Sequence, residues 1–266
     1  MGSFSIWHWL VVLGLVAVIA IPLWFGTRRG KSAEGWVPGQ FRDPTNLTRY
    51  VTWALFALMG MAILGLISGA LERQFFYDVQ NGLYRSNQAA IAAGEASDAR
   101  QRVVGVLRLA TYVVTAILVG TWIYRANVNA RQLGAAGLAF TPGWAVGWYF
   151  IPVAGLWKPY QAMREIWCAS RDPVQWRAVD PPASLGWWWG FWIVGNVLGQ
   201  ISFRMTSSVH SVSDGLIANG VTLFADCLDV PLCLLLLSIV RDVQANQMES
   251  ATSRNAAVAN AEGLPA

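Results

Sequence analysis

The sequence predicts an all-α, polytopic membrane protein with about five spanning helices and one broken hairpin, and three observations predict this class. Of the 266 residues, 55% are hydrophobic and only 13% are charged, about half the charged content of soluble domains. The hydrophobic residues form runs long enough to cross a hydrocarbon core of about 30 Å. Fifteen tryptophans are typical of membrane interfaces, where the ring contacts lipid and its N–H stays hydrated.

The first hydrophobic run, residues 4–25, is predicted to be a retained membrane anchor. No Lys or Arg precedes it and no small-residue cleavage site follows it, so a cleaved signal peptide is disfavoured. Arg28, Arg29 and Lys31 follow directly, which places this flank on the inner side of the membrane. Residues 1–39 are therefore assigned to an N-terminal anchor helix and linker.

The remaining chain divides into a helical membrane domain, residues 40–248, and a tail, residues 249–266. The tail is rich in Ala, Asn and Ser and is predicted to be disordered. Within the domain, hydrophobic runs predict four further spanning helices, over residues 50–71, 103–124, 185–205 and 215–240. A polar segment, residues 72–102, separates the first two of these and is predicted to be an outer loop that is helical in part.

Two short features of these spans carry structural predictions. Gly65 and Gly69 lie four positions apart, a spacing that lets another helix approach closely, and we interpret the pair as ordinary helix packing. The polar run of residues 125–131 ends the third span, and we interpret it mainly as a helix end with its positive charges on the inner side. The alternative is that Asn127 and Asn129 bind carbonyl groups of neighbouring loops.

Residues 140–167 form an apolar and aromatic stretch that three prolines and three glycines interrupt. Thr141 can cap a helix with Pro142 at its first position, and the arm up to Pro152 would rise roughly 16 Å, half of a bilayer core. A second helix can begin at Pro159. The pattern predicts a re-entrant hairpin, a backbone that is tolerated at membrane depth only where protein or water covers it.

The alternative to a hairpin is one kinked spanning helix. With the hairpin, 13 of the 19 Lys and Arg residues lie on the inner side, whereas a crossing would leave about seven there, so the positive-inside rule favours the hairpin. On the second arm, helical periodicity places Gln161, Arg164, Glu165 and Cys168 on one polar face. That face would meet either a polar seam or the inner headgroups.

The last two predicted spans carry polar residues at helical spacing. The span over residues 185–205 has a polar residue at every fourth position: Asn196, Gln200 and Arg204. In the other, Asp226 and Asp229 lie one turn apart, and Asn196 is predicted to be level with Asp226. An ionisable residue near mid-bilayer is costly unless paired or protonated, so the aspartates are candidates for a proton or cation site. The alternative, which we favour, is that Asn196 or Arg164 holds them structurally.

Motifs that carry chemistry are absent from the sequence. It has no phosphate-binding loop, no nucleophile elbow, no H-E-x-x-H and no C-x-x-C. The three cysteines show no metal or redox spacing. No enzymatic activity, metal, cofactor or nucleic-acid partner is therefore expected.

The motif within residues 125–167 resembles the signature of a bacterial, mainly actinobacterial, family of integral membrane proteins known only as a domain of unknown function. The pattern is R-A-N-x-N-A-R, then T-P-G-W-A-V-G-W-Y-F-x-P-x-x-x-L-W-K-P-Y-Q-A-x-R-E-I-W. Its main positions in this chain are Arg125, Asn127, Asn129, Arg131, Pro142, Gly143, Trp144, Gly147, Trp148, Pro152, Trp157, Pro159, Tyr160 and Trp167. The likeness extends from about residue 41 to residue 247. It implies a bacterial membrane location and a multi-helix fold, and it implies no activity.

Two classes of function fit these features. The expected one is a membrane scaffold or interaction protein, whose partners are the lipid bilayer and a second copy of the chain or another membrane protein. The alternative is a small transporter or channel-like protein, in which the broken hairpin and the Asp226 and Asp229 seam line a path for a proton, an ion or a small solute. Either would be a multi-pass protein of the bacterial inner membrane.

Overall fold

The structure is a computed structural model that describes residues 41–151 and 153–262, and these residues are helical without a strand. They form six α-helices: α1 (Thr45–Gln80), α2 (Asn87–Gln132), α3 (Pro142–Gly147), α4 (Lys158–Arg171), α5 (Ala183–Thr206) and α6 (Val212–Glu262). Short 3₁₀ turns occupy Trp148–Phe150, Ala154–Leu156 and Trp176–Ala178. The predicted first span, its linker and the predicted break at Pro152 lie outside the described residues.

Three of the described helices are long and apolar enough to cross a membrane: α1, α2 and the Val212–Val258 part of α6. Each is longer than the roughly 20 residues that a crossing requires. The predicted span over residues 185–205 forms helix α5 but is not among them. Its Trp, Gly, Asn and Gln residues dilute the aliphatic side chains that give the other three their hydropathy. A membrane protein is therefore supported, and five spans are not confirmed.

The chain packs into two compact units. Of the described residues, the first unit contains 41–48, 117–181 and 241–262, and the second unit contains 49–116 and 182–240. The first unit thus collects the segments that the charge distribution assigned to the inner side of the membrane.

In the first unit, small side chains form the core next to the end of α2. Ala130, Ala135, Leu138 and Ala169 are buried together, and Trp176 packs against them. Helix α2 ends at Gln132, and Gly134 just after it has a φ of 90°, the left-handed conformation that glycine adopts most easily. The amide of Ala135 donates to the carbonyl of Ala130 at 3.1 Å and turns the chain out of the helix.

In the second unit, the two glycines at helical spacing mark a close contact between α1 and α6. A Cβ at Gly65 would lie 2.6 Å from Oδ2 of Asp226, and one at Gly69 would lie 2.7 Å from Cδ2 of Leu223. The Asn219 side-chain amide donates to the Gly69 carbonyl at 2.9 Å. The interpretation of this pair as helix packing is confirmed, because only glycine leaves room for these side chains.

The predicted broken backbone is present, with a shorter first arm than expected. The hydroxyl of Thr141 accepts the amide of Trp144 at 3.4 Å and caps α3, but α3 lasts only six residues before a 3₁₀ turn. Ile151 is extended, and the amide of Gly155 returns to the Ile151 carbonyl at 2.6 Å. Helix α4 then begins at Lys158, next to Pro159, as the sequence indicated.

The helices on either side of this broken stretch, α2 and α4, lie side by side where each adjoins Gln247. The Gln247 amide nitrogen donates to the carbonyl of Ala126 and to the hydroxyl of Ser170, each at 2.9 Å, so these two oxygens are at most 5.8 Å apart. A single crossing by residues 142–168 would separate them by about 30 Å of hydrocarbon core. These contacts therefore fit a hairpin and do not fit a single kinked spanning helix.

The prediction of a disordered tail is wrong for residues 249–262, which continue helix α6. Ala251 is buried, and the guanidinium of Arg254 lies against Gly134, 3.2 Å from where a Cβ would stand. Alanine has the highest helix propensity, and these tertiary contacts add to it. Composition alone indicated a polar tail and gave no sign that one face packs.

Candidate functional site

Signature residues of α2 bind the main chain of residues 136–140, an arrangement that we call the carbonyl clamp. The Arg131 guanidinium donates from Nη2 to the carbonyls of Leu138 at 3.3 Å and Phe140 at 2.8 Å, and from Nε to Oδ1 of Asn127 at 3.1 Å. The Asn127 amide nitrogen also donates to the Phe140 carbonyl, at 3.1 Å. The run is therefore more than a helix end with topology charges, since its amides do bind loop carbonyls.

Glu165 of α4 completes the clamp from the other side. Its carboxylate accepts the amides of Ala139 at 2.6 Å and Phe140 at 3.1 Å, and the residue is 5% exposed. Burial raises the pKa of Glu165, although these two amides and the nearby guanidiniums of Arg131 and Arg177 favour the charged form.

We predicted that the polar face of α4 meets a polar seam or the inner headgroups, and this prediction is wrong for two of its four residues. Gln161 and Arg164 are exposed, but Glu165 and Cys168 are buried. The physical reason is that loop segments cover this side of the helix and supply hydrogen-bond partners, the amides of Ala139 and Phe140 for Glu165 and the Val179 carbonyl for Cys168. A helical wheel contains only the helix and cannot show a loop that packs on it.

Two clamp residues beyond the signature were missed. The Arg177 guanidinium donates to the Gly137 carbonyl at 2.9 Å, and the Trp176 indole donates to the Ala136 carbonyl at 3.0 Å. Gly137 has a φ of 66°, and a Cβ there would lie 2.6 Å from Nη2 of Arg177. No periodic pattern marks these residues, because they belong to a 3₁₀ turn in a polar loop.

A second network in the first unit is built from buried amides. The Asn129 side chain donates to the Arg42 carbonyl at 2.9 Å and to Oε1 of Gln247 at 3.2 Å. Gln247 in turn binds Ala126 and Ser170, and both amide residues are fully buried. The alternative interpretation, that Asn129 binds a carbonyl, is confirmed. Gln247 was missed because it lies directly before the predicted disordered tail.

The remaining signature residues shape the broken stretch. Trp144 and Trp148 pack at 4.8 Å between ring centroids, and the Lys158 ammonium lies 5.9 Å from the Trp148 ring. A Cβ at Gly147 would come within 3.2 Å of the Trp144 ring. Pro142 and Gly143 form the first turn of α3. Four others line the same region with mixed burial: Arg125 and Tyr160 half-buried, Pro159 buried and Trp157 exposed.

Trp167, the last signature residue, is half-buried, and its indole nitrogen has no hydrogen-bond partner among the described residues. The broken stretch also carries five exposed apolar side chains, which we call the aromatic face: Trp144, Phe150, Val153, Leu156 and Trp157. In a membrane protein, exposed apolar side chains such as these contact lipid or another protein.

In the second unit, Arg108 of α2 pairs with both candidate aspartates, and we call these three residues the charged triad. One guanidinium nitrogen binds Oδ1 of Asp226, and the other binds Oδ2 of Asp229 at 2.6 Å. The Asp226 side chain is 3% exposed and that of Asp229 is 33% exposed. Both aspartates are tied down structurally, as favoured, but by a residue that the sequence patterns did not single out.

The prediction that Asn196 holds the aspartates is wrong. Its amide donates to the Trp192 carbonyl of its own helix at 2.8 Å, and Asn196, Gln200 and Arg204 are exposed along α5. Helices α5 and α6 are instead joined by the hydroxyls of Ser202 and Thr222 at 2.6 Å. The signal that could have identified Arg108 is its isolation, since it is a single cation inside an otherwise apolar span.

No group of three or more His, Cys, Asp or Glu side chains that could hold a metal occurs in the part of the chain that the structure describes. Three helices long and apolar enough to cross a membrane support a helical membrane protein. A family model described as "Domain of unknown function (DUF4328)" matches residues 85–245, more than half of the chain, and the chain belongs to this family. The match covers the clamp and the triad. No solved structure matches the chain.

Proposed function

We propose that this protein is a multi-pass membrane scaffold of a bacterial inner membrane, with no catalytic role. One observation carries the proposal: the four buried or partly buried signature residues Asn127, Asn129, Arg131 and Glu165 bind the protein's own main chain. Arg131, Asn127 and Glu165 fix residues 136–140, and Asn129 fixes the segment at Arg42. Residues that recognise a ligand need polar atoms directed at it, and these atoms are directed inward.

What the clamp supports is the aromatic face. Val153 is 68% exposed, and Leu156 and Trp157 are 53% and 44% exposed, on backbone that has little regular hydrogen bonding of its own. The clamp fixes the chain on both sides of this backbone, at residues 136–140 before it and at Glu165 of α4 after it. Lys158 and Arg164 lie beside the apolar side chains in sequence, so the surface combines apolar contact with positive charge, as interaction surfaces commonly do.

In the proposed topology, helices α1, α2, α5 and α6 cross the bilayer. Residues 142–168 do not cross, and the aromatic face stays on the inner side with the basic segments. There it meets a second copy of the chain or another membrane protein.

A photo-activated cross-linker placed at Val153 or Trp157 tests the scaffold. We expect one discrete protein adduct, formed from either position in native membranes, because a fixed surface meets a fixed partner. An adduct of twice the chain mass identifies a second copy. The same cross-linker at Thr252, exposed on α6 of the same unit, is the matched control. Lipid adducts alone, or equal adducts from Thr252, would contradict the proposal.

The charged triad favours a second candidate, transport of a proton or small cation. Two carboxylates share one guanidinium, so the ionised triad carries one unneutralised negative charge, and Asp229 is a third exposed. A proton or cation could neutralise that charge. Purified protein in proteoliposomes tests the candidate. Flux that is present in the wild type, lost in Asp229→Asn and kept in Arg102→Gln would favour transport over the scaffold.

A further inference from the structure

A groove in the first unit lies between the end of α4 and one face of α6. It has a volume of about 430 Å³, within the range of roughly 300–1,000 Å³ that small-molecule sites occupy. The side chains that matter for its chemistry are Arg171, Asn246, Glu249, Ser250, Ser253 and Arg254. Neither the clamp nor the triad contributes to it.

Two guanidinium groups determine which chemical groups the groove can bind. Arg171 donates from Nη1 to Oδ1 of Asn246 at 3.1 Å, which orients the group and leaves its other N–H donors available. Arg254 lies against Gly134 and has no hydrogen bond or ion pair with any described residue. The planar fork of N–H donors on arginine matches the oxygens of a phosphate group better than the single ammonium of lysine does.

The other lining groups determine the charge of the ligand that the groove can bind. Ser250 and Ser253 supply hydroxyls, and Ser253 Oγ donates to the Glu249 carbonyl at 3.0 Å within its own helix. With two arginines and the Glu249 carboxylate, the groove has a formal charge of +1. A ligand with one negative charge balances it, whereas a second negative charge would meet the repulsion of Glu249.

We propose that this groove binds a monoanionic phosphate group, either the phosphodiester of an anionic lipid headgroup or a soluble phosphate compound. Its position along α6 favours the lipid. Asn246 lies about 8 Å further along the helix than Arg241, which directly follows the predicted span, and headgroups begin directly outside the hydrocarbon core. The proposal does not depend on the scaffold function.

The test measures binding to the full-length protein in detergent, from the rise of Tm with probe concentration. The two probes are short-chain phosphatidylglycerol and inorganic phosphate. Because charge-assisted hydrogen bonds are lost, Arg171→Gln with Arg254→Gln is expected to weaken phosphatidylglycerol binding at least about tenfold. Arg241→Gln, an exposed arginine of α6 outside the groove, should bind as the wild type does.

Glu249→Gln distinguishes a change in the site from misfolding, because a misfolded variant would lose binding. This substitution is instead expected to tighten binding roughly fivefold by removing one repulsive charge. Arginine-dependent binding of phosphatidylglycerol assigns the groove to lipid headgroups. Arginine-dependent binding of inorganic phosphate alone assigns it to a soluble phosphate compound. Binding of neither probe, or binding that the double substitution leaves unchanged, overturns the site.

Discussion

The two units use polar side chains for different purposes. In the first unit, Arg131 and Glu165 bind carbonyl and amide groups of the main chain in a loop without regular structure. In the second unit, Arg108 binds the side chains of Asp226 and Asp229, on helices whose main chains satisfy themselves. The clamp therefore replaces missing secondary structure, whereas the triad only balances charges that the sequence itself introduces.

This difference has a testable consequence. A main-chain carbonyl or amide stays in place whatever residue carries it, so a lost clamp residue leaves a buried polar group that no second substitution removes. All three groups of the triad are side chains and can be removed together. Damage to the triad should be reversible by further substitution, and damage to the first unit's networks should not.

Arg108→Gln is expected to have the largest effect. It leaves two carboxylates without a cation, one of them buried, and breaking such a pair costs about 3 kcal/mol of unfolding free energy. Adding Asp226→Asn and Asp229→Asn should restore most of this loss, because no unpaired charge remains. Equilibrium unfolding in detergent micelles measures all three steps.

Arg102→Gln is the matched control for this series, since Arg102 is an exposed cation of the same helix. It should change stability by less than about 0.5 kcal/mol. The comparison of the units breaks down if the fully neutral triple variant is no more stable than Arg108→Gln alone.

Gln247→Leu is expected to destabilise the first unit by about 2 kcal/mol. The substitution removes the side-chain partner of the Ala126 carbonyl and one hydrogen bond each from the Asn129 amide and the Ser170 hydroxyl, all in a fully buried place. Asn255→Ala, at an exposed position of the same helix, is the control in the same unfolding measurement. A second substitution such as Ser170→Ala should recover little, because the Ala126 carbonyl remains; full recovery would show that the two units do not differ.

Gly65→Ala is expected to cost about 1–2 kcal/mol, as over-packing of a helix contact does. The new Cβ would stand 2.6 Å from Oδ2 of Asp226, and Arg108 prevents that carboxylate from moving. Gly60→Ala, which meets no atom within 4 Å, is the control on the same helix. The cost should shrink in the Arg108→Gln background, and a double-mutant cycle that shows no coupling would argue against this contact.

Much of the fold could be predicted because its rules are local. The hydrophobic runs located α1, α2 and the first part of α6, and the Thr141 cap with Pro142 marked the start of α3. The spacing of Gly65 and Gly69 located a helix contact. Each prediction needed only residues within one turn or one span of each other.

The site could be predicted only in part, because its partners are distant in sequence. Asp226 and Asp229 were recognised as costly charges, but their partner Arg108 lies 118 and 121 residues away. Gln247 and Ser170 meet across 77 residues. Periodicity gives the direction in which a side chain points on its own helix, and it gives no information about which helix or loop is opposite. The burial of Glu165 was not predicted for the same reason, because helical periodicity does not show the loop that covers it.

Glu165→Gln should have the smallest effect, which is a change in how the free energy of unfolding depends on pH. Burial raises the pKa of Glu165 above its ordinary value of 4.5, so the folded protein binds this proton more readily than the unfolded chain does. The carboxyl group therefore contributes most stability below pH 4.5, and that contribution falls as pH rises through the raised pKa. The wild type should lose stability relative to Glu165→Gln over this interval, by about 1.4 kcal/mol for every pH unit that separates the folded from the unfolded pKa. Glu95→Gln, at an exposed position, controls for the loss of one negative charge. If the wild type instead gains stability relative to Glu165→Gln as pH rises, then the amides of Ala139 and Phe140 outweigh desolvation, and the clamp stabilises the ionised carboxylate.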